Sequence, residues 1–310
     1  MKALCITLNP ALDTTYVVTS FEAGGSNRVI RKHETPGGKG NNVARILASR
    51  GHKVVATGFL GGVTGEMIAR GLSSAGVSER FYRLPNGNSR ACHAILDQST
   101  AQVTEILEPG PSISRAEIGG FEALLGDLIE NNRFDVITIS GSTPPGVESQ
   151  DLRRIGATIR RSNAFFVVDS SGPTLRTLVD CEPDLISPNR SELAEQMNDE
   201  VSAPDSLDRI EILLSDGRAG ASLISRSGTF SASVPEFSVV NTVGCGDALL
   251  AGFLDAKFSA ETELHPLARA VAFGSAAALQ ETAGVVDQGD IERFEVQVQL
   301  TPPSVKVGDT

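Results

Sequence analysis

Between Ser114 and Val168 short, continuously apolar runs alternate with helix-period stretches. A helical pattern reaches Asn131, the run Val136 to Ile139 follows, and the loop Gly141-Ser142-Thr143-Pro144-Pro145-Gly146 leads to a second helical pattern near Gln150 to Arg161 and the run Phe165 to Val168. Apolar runs without alternation fit strands buried on both faces, and an intervening helix makes such strands parallel. The chain is therefore predicted to be α/β, with a doubly wound, mostly parallel central sheet. The same rhythm starts upstream with residues 3–8 and returns with a strand at Val54 to Phe59 and a helix at Gly65 to Ala75. Two stretches break it. Residues 14–35, around Gly24-Gly25, and residues 79–107, with a turn at Asn86-Gly87-Asn88, are β-rich but less continuously apolar, and are predicted to form a small β-sheet lid. All 310 residues are read as one domain carrying this discontinuous lid.

Charge and cysteine usage narrow the function. A net charge of -11 argues against general nucleic-acid binding or an anionic membrane surface as the main partner. An anionic substrate must then meet a local cluster of Lys and Arg. Cysteines at 5, 92, 181 and 245 have neither paired nor metal-ligand spacing, and the four histidines form no H-E-x-x-H pattern, so the chain is expected in a reducing cytoplasm without structural zinc. The first apolar run is interrupted at Asn9-Pro10, too early for a signal-peptide core, and no run reaches membrane-spanning length.

The chemical centre is the turn Asn241-Thr242-Val243-Gly244-Cys245-Gly246-Asp247, which opens into the small, apolar run from Ala248 to Leu254. Two glycines one residue apart let N–H groups converge, and the helix that follows adds the positive end of its dipole, making an anion hole. Asp247 at its lip is either a first-turn residue stabilising the helix or the acceptor of a hydroxyl proton in phosphoryl transfer; the helix terminus is expected to keep it ionised near neutral pH. Pro36-Gly37-Gly38-Lys39-Gly40-Asn41-Asn42 is a second candidate anion site at a helix start, or a flexible surface turn, and is not a Walker A loop because Gly40 follows Lys39. Asp13 lies just past a strand end, where it either holds sugar hydroxyls or shapes a turn. Arg90, after the hairpin turn, is a phosphate ligand or a solvated edge charge. Asn189 and Glu192, three apart at a helix start, order water around Mg²⁺ or form a capping box. Ser215 to Ala221 reads as a strand and a glycine-bearing turn able to run close to a nucleotide.

Taken in order, five motifs resemble those of the ribokinase-like sugar kinases, specifically the phosphofructokinase B branch that includes 1-phosphofructokinase and tagatose-6-phosphate kinase. They are Thr7-Leu8-Asn9-Pro10-Ala11-Leu12-Asp13, Pro36 to Gly40 with Asn42-Val43-Ala44-Arg45, Ser140-Gly141-Ser142 with Pro144-Pro145-Gly146, Pro188-Asn189 with Glu192, and the turn ending at Asp247.

The resemblance implies a three-layer α/β/α sandwich with a β lid, ATP and Mg²⁺ as cofactors, and a homodimer clasped through the lids. It makes Asp247 the base and assigns the N–H groups of Gly244, Cys245 and Gly246 to the transferring phosphoryl group. Asp13, Gly38 and Asn42 would hold the sugar, with Lys39, Arg90 and Arg28 toward its phosphate. Asn189 and Glu192 would serve the metal and phosphates, and Ser215, Gly217, Gly220, Thr242 and Gly244 the nucleotide. The implied reaction is ATP-dependent phosphorylation of a ketohexose phosphate, with fructose 1-phosphate first and tagatose 6-phosphate or fructose 6-phosphate as alternatives; a non-catalytic sugar- or nucleotide-binding regulator is the other reading. Three positions depart from the family pattern: Cys245 replaces the usual Ala, Ser187 a common Lys, and Cys92 a frequent Asn.

Overall fold

β1 (Lys2–Thr7) alternates its side chains between two hydrophobic clusters, and this period of two sets the layering. Ala3 and Cys5 join one cluster, while Leu4 and Ile6 join the other. Residues 1–198, 209–259 and 264–303 are described by this computed structural model. After β1 come β2 (Ala11–Val18), β3 (Val29–Gly37), α1 (Lys39–Ser49), β4 (Lys53–Gly61), α2 (Gly62–Ser74), β5 (Ser78–Glu79) and β6 (Tyr82–Leu84). β7 (Arg90–Asp97), β8 (Gln102–Leu107), α3 (Arg115–Glu130), β9 (Val136–Ser140), α4 (Ser149–Arg160), β10 (Phe165–Asp169) and α5 (Gly172–Val179) form the middle of the chain. The last third holds β11 (Leu185–Ile186), α6 (Arg190–Asn198), β12 (Glu211–Ser215), β13 (Ala221–Ser225), β14 (Gly228–Ser233), α7 (Cys245–Phe258), α8 (Pro266–Ala277), α9 (Gln288–Glu295) and β15 (Gln299–Thr301).

The large sheet runs β15-β14-β13-β12-β11-β10-β9-β1-β4-β5, with β6 also beside β4. Pairing is parallel from β12 through β4 to β5 and β6, and antiparallel from β12 outward to β15. Residues of α1, α2, α7, α8 and α9 pack with the Ala3 cluster, and residues of α3, α4 and α5 pack with the Leu4 cluster. The result is the mostly parallel α/β/α sandwich expected from the sequence. The antiparallel extension β13–β15 was not anticipated, because its polar strands lack the long apolar run of a buried parallel strand.

A separate sheet has the order β3-β2-β7-β8. Its register places Thr35, Asp13, Cys92 and Leu107 in one row, with Gly37, Ala11 and Arg90 two residues along. Asp13, Arg90 and Cys92 therefore share one face. The second β-rich stretch, expected over 79–107, divides in the structure: β5 and β6 pair with β4 in the large assembly, and the small sheet resumes only at Arg90. Tyr82 and Leu84 bury apolar surface against the Leu4 cluster, which explains the difference.

Chain order reverses at β1, with β4 on one side and β9 on the other. Open α/β sheets bind ligands outside the carboxyl ends of their strands at such a point. The residues at or just beyond the ends of β1, β9, β10, β11 and β12 are Asn9, Gly141, Asp169, Ser187 and Ser215, and all five line one cavity of about 580 Å³.

Candidate active site

Gly244 is the N-cap of α7 and has φ 82°, a left-handed conformation costly for a residue with a Cβ. Thr242, Val243, Gly244 and Gly246 reach the cavity, and no side chain caps this helix end. Unpaired N–H groups in a first helical turn are an anion site. The N–H of Cys245 differs from the expectation, since it already donates to the Thr242 carbonyl at 3.4 Å. Asn241 braces the turn, accepting from Val243 N–H at 3.0 Å and donating to the Glu281 carbonyl at 3.0 Å.

Asp247 is the third residue of α7 and is only 5% exposed. Its carboxylate crosses to α1 rather than capping its own helix: Nδ2 of Asn42 donates to Oδ2 at 2.8 Å. Burial, then the negative charge of Asp169, pushes this carboxyl up to about 7, against the pull of Lys39 and Asn42. Against the expectation of an acid kept ionised by the helix terminus, burial and the Asp169 charge act to raise this carboxyl.

Lys39 opens α1 and points to the same centre. Its ammonium lies 2.8 Å from Asp169 and 3.9 Å from Glu192, and the charges of Asp169 and then Asp247 raise its pKa. Asp169, 3% exposed at the end of β10, was not named as a site residue from the sequence. Its signal was its place just after an apolar run, where turn residues are equally common.

On the small-sheet side, Asp13 approaches Gly37 so closely that a Cβ there would meet its carboxylate at 1.9 Å. Burial raises the Asp13 carboxyl to about 6, opposed first by Arg90 and then by Arg45. Arg90 donates from Nε to the Asn9 carbonyl at 3.1 Å and from Nη1 to the Glu108 carbonyl at 3.2 Å, and forms no ion pair among the described residues. Its cation lines the cavity hydrogen-bonded to two carbonyls, with Asp13 close enough to act on it by charge, and its cavity-facing charge suits an incoming anion. Gly38, Lys39 and Asn42 also line the cavity, whereas Arg28 is exposed and stands apart from it.

Asn189 and Glu192 form the capping box: Glu192 Oε2 accepts from Asn189 N–H at 2.8 Å, and Asn189 Oδ1 accepts from Glu192 N–H at 2.9 Å. Both also line the cavity, so the capping role leaves them facing the same centre as Asp169. A second, mainly apolar cavity of about 560 Å³ adjoins the first, and Asn189, Ser215, Thr242 and Gly246 line both. Gly217, Gly220 and Cys245 line the second cavity with Val234, Phe237 and Val271. The last three, contributed by the segment after β14 and by α8, carried no motif. Burial, then Asp247, pushes the Cys245 thiol to about 12, so it is no nucleophile near neutral pH.

A cavity with a buried, hydrogen-bonded carboxylate, joined at the α7 N-terminus to an apolar cavity at strand carboxyl ends, fits a phosphoryl-transferring kinase. The chain belongs to the pfkB family of carbohydrate kinases, whose model matches residues 6–284. Among solved structures it is similar to a putative phosphofructokinase from Staphylococcus aureus, at 27% identity and TM-score 0.76 over 97% of this chain and 98% of that one. It is also similar to phosphofructokinase-2 from Escherichia coli in complex with substrates and products, at 25% identity and TM-score 0.82 over 96% and 98%. A possible 1-phosphofructokinase from Thermotoga maritima shares the fold at 23% identity, with TM-score 0.85 over 97% and 99%. Among the described residues no helix is long and apolar enough to cross a membrane.

Proposed function

We propose that this kinase transfers the terminal phosphoryl group of ATP to the 6-hydroxyl of fructose 1-phosphate, giving fructose 1,6-bisphosphate. The observation that carries the reading is the placing of Arg90, hydrogen-bonded to two backbone carbonyls, in the same cavity as Asp247. Arg90 grips the substrate phosphate, Asp13 and Asn42 accept or donate to ring hydroxyls, and the free hydroxymethyl arm meets Asp247. Ionised Asp247 orients that hydroxyl and takes its proton as the bond to phosphorus forms; Asn42 fixes the carboxylate. Lys39 moves in this reading from the sugar phosphate toward the phosphoryl group in transit, since its ammonium sits against Asp169. The apolar cavity takes the nucleoside, with Ser215, Gly217, Gly220 and Thr242 along it.

Asp169, Glu192 and the Asn189 side chain are hard oxygen donors facing the cavity, and two carboxylates beside substrate phosphates suit Mg²⁺. Bound there with ATP, the ion supplies neutralisation of phosphate charge. The Lys39 ammonium already lies 2.8 Å from Asp169 and 3.9 Å from Glu192, so an ion bound there would share these carboxylates with it.

Tagatose 6-phosphate and fructose 6-phosphate are the alternative acceptors, because a furanose ketohexose offers a hydroxymethyl arm on either side of its ring oxygen. A non-catalytic regulator would have no need for the buried Asn42–Asp247 contact. We also propose a homodimer through the small sheet, supported by exposed Val29, Ile30, Ile106 and Leu107, and a cytoplasmic location, supported by four free cysteines. ADP release measured over fructose 1-phosphate, tagatose 6-phosphate, fructose 6-phosphate, fructose and ribose tests the reaction. A higher kcat/KM for either 6-phosphate refutes the named substrate, and a higher value for a free sugar refutes the phosphate-gripping role of Arg90.

A further inference from the structure

Along β3 the side chains alternate between two uses. Lys32 and Glu34 pair with each other at 2.9 Å on one face. Arg31 and His33, on the other face, reach across about 250 residues of sequence to one carboxylate, Glu281, in the segment after α8. Arg31 donates through Nε at 3.2 Å and also through Nη2, and His33 Nε2 lies 2.9 Å from the same carboxylate. His33 stands in the register row of Thr15 and Ala94, which line the acceptor cavity, so the contact lies on the face of the small sheet that bears the cavity.

The backbone around Glu281 holds the catalytic turn. The Glu281 carbonyl accepts from Asn241, the Ala278 carbonyl accepts from Val240 N–H and Asn241 N–H, and Ala283 packs against Gly244 so tightly that a Cβ on Gly244 would lie 2.6 Å away. Arg45 adds a second tie, donating to the Ala283 carbonyl at 3.2 Å and to the Pro36 carbonyl, at the end of β3, at 3.4 Å. The small sheet is thus joined at two points to a segment that itself braces the anion turn.

We propose that Glu281 is a positioning residue, which through Arg31 and His33 fixes the small sheet bearing Asp13 and Arg90 relative to the turn bearing Asp247. The inference rests on the assignment of those three residues to one acceptor site. Its physical basis is that a bidentate Arg–carboxylate pair restrains orientation as well as distance, whereas a single surface ion pair contributes little. Glu281 touches no reacting atom. Its loss lets the small sheet sample positions in which the acceptor's phosphate is held but its hydroxyl misses Asp247, the kind of misplacement to which rate is sensitive.

The test compares Glu281→Gln, Arg31→Glu, Glu281→Arg and the double exchange Arg31→Glu/Glu281→Arg in the full chain, with Lys32→Ala as the control on the opposite face. Hydrogen exchange should quicken in residues 29–37 and in residues 241–247 of Glu281→Gln, and the KM for the acceptor should rise roughly fivefold while the KM for ATP stays within twofold. The double exchange should recover most of what Glu281→Arg loses, and Lys32→Ala should change neither reading. Exchange faster in β3 alone, or unaltered in both segments, overturns the proposal, as does a uniform loss of Tm with acceptor KM unmoved. If the wild-type chain phosphorylates none of the sugars, the functional reading fails separately, and the exchange measurement alone decides whether Glu281 couples the two segments.

Discussion

Nδ2 of Asn42 donates to Oδ2 of Asp247 across 2.8 Å, tying the first turn of α1 to the first turn of α7. Those helices follow the two glycine-bearing segments of the sequence, so one hydrogen bond joins the two candidate anion sites into one centre. The other amide atom of Asn42, Oδ1, is buried with no hydrogen-bond partner among the described residues.

Replacing Asp247 by Ala should lower kcat by roughly 10²-fold to 10⁴-fold while ATP binding, measured by calorimetry, persists. Turnover near that of the wild type would remove Asp247 from the mechanism.

The pH dependence follows from the two raised carboxyls. Asp247 at about 7 and Asp13 at about 6 act in their ionised forms, so kcat/KM should fall as pH drops through neutrality and steepen below about pH 6. Asn42→Ala removes a bond to the charged form and should move the upper limb to higher pH, whereas Asp169→Asn removes a like charge and should move it lower. A pH profile identical in all three proteins would break the link.

Stability carries the opposite sign. A buried acid whose folded pKa is raised destabilises the fold increasingly as pH rises from the ordinary carboxylate range through the raised value, because the unfolded chain loses its proton first. Asp247→Asn should therefore raise Tm above pH 7 by at least about 2 °C, the shift that ~1 kcal/mol produces in a chain of this size, and should lose that advantage near pH 4. Thermal melts at both pH values measure it.

Arg90→Ala and Lys39→Ala should separate. Loss of the Arg90 bond to a substrate phosphate, worth about 1.5–3 kcal/mol, should raise the KM for the sugar phosphate about 10-fold to 150-fold with little change for ATP. Lys39→Ala should act mainly on kcat, since its ammonium adjoins Asp169 and its charge acts on Asp247. Equal KM effects of the two would merge their roles.

Ser187→Lys should lower the KM for ATP by about tenfold, by returning a cation to a cavity that also holds Asp169 and Glu192. Arg190 is paired with Asp216, whereas Arg218, in an exposed 3.6 Å pair with Glu236, lines the second cavity and is the other source of positive charge there. Steady-state kinetics with ATP varied checks this, and an unchanged KM would mean that Arg218 already supplies the charge or that the position faces no phosphate.

The sequence by itself determined the layering, because period and continuity of apolar residues respond to local geometry. Ala3 and Cys5 against Leu4 and Ile6, or the unbroken run Val136 to Ile139, can be buried in only a few ways. It also located the two glycine turns, where Gly244 adopts positive φ and Gly37 makes room for Asp13. Tertiary structure decided which carboxylates matter. In the sequence Asp13 and Asp169 each come just past an apolar run and Asp247 opens a helix, positions in which a single Asp is ordinarily a turn or end residue. Only the parallel sheet brings Asp169 against Lys39, and only the packing of α7 beside α1 buries Asp247 so that its carboxyl is raised. The same holds for β5 and β6, whose short strands pair with β4 through long-range burial that no local pattern encodes, and for Glu281, which meets Arg31 and His33 only because the fold closes there. Pairings between residues far apart in sequence depend on loop closure and competing burial over the whole chain, and a local pattern carries no record of either.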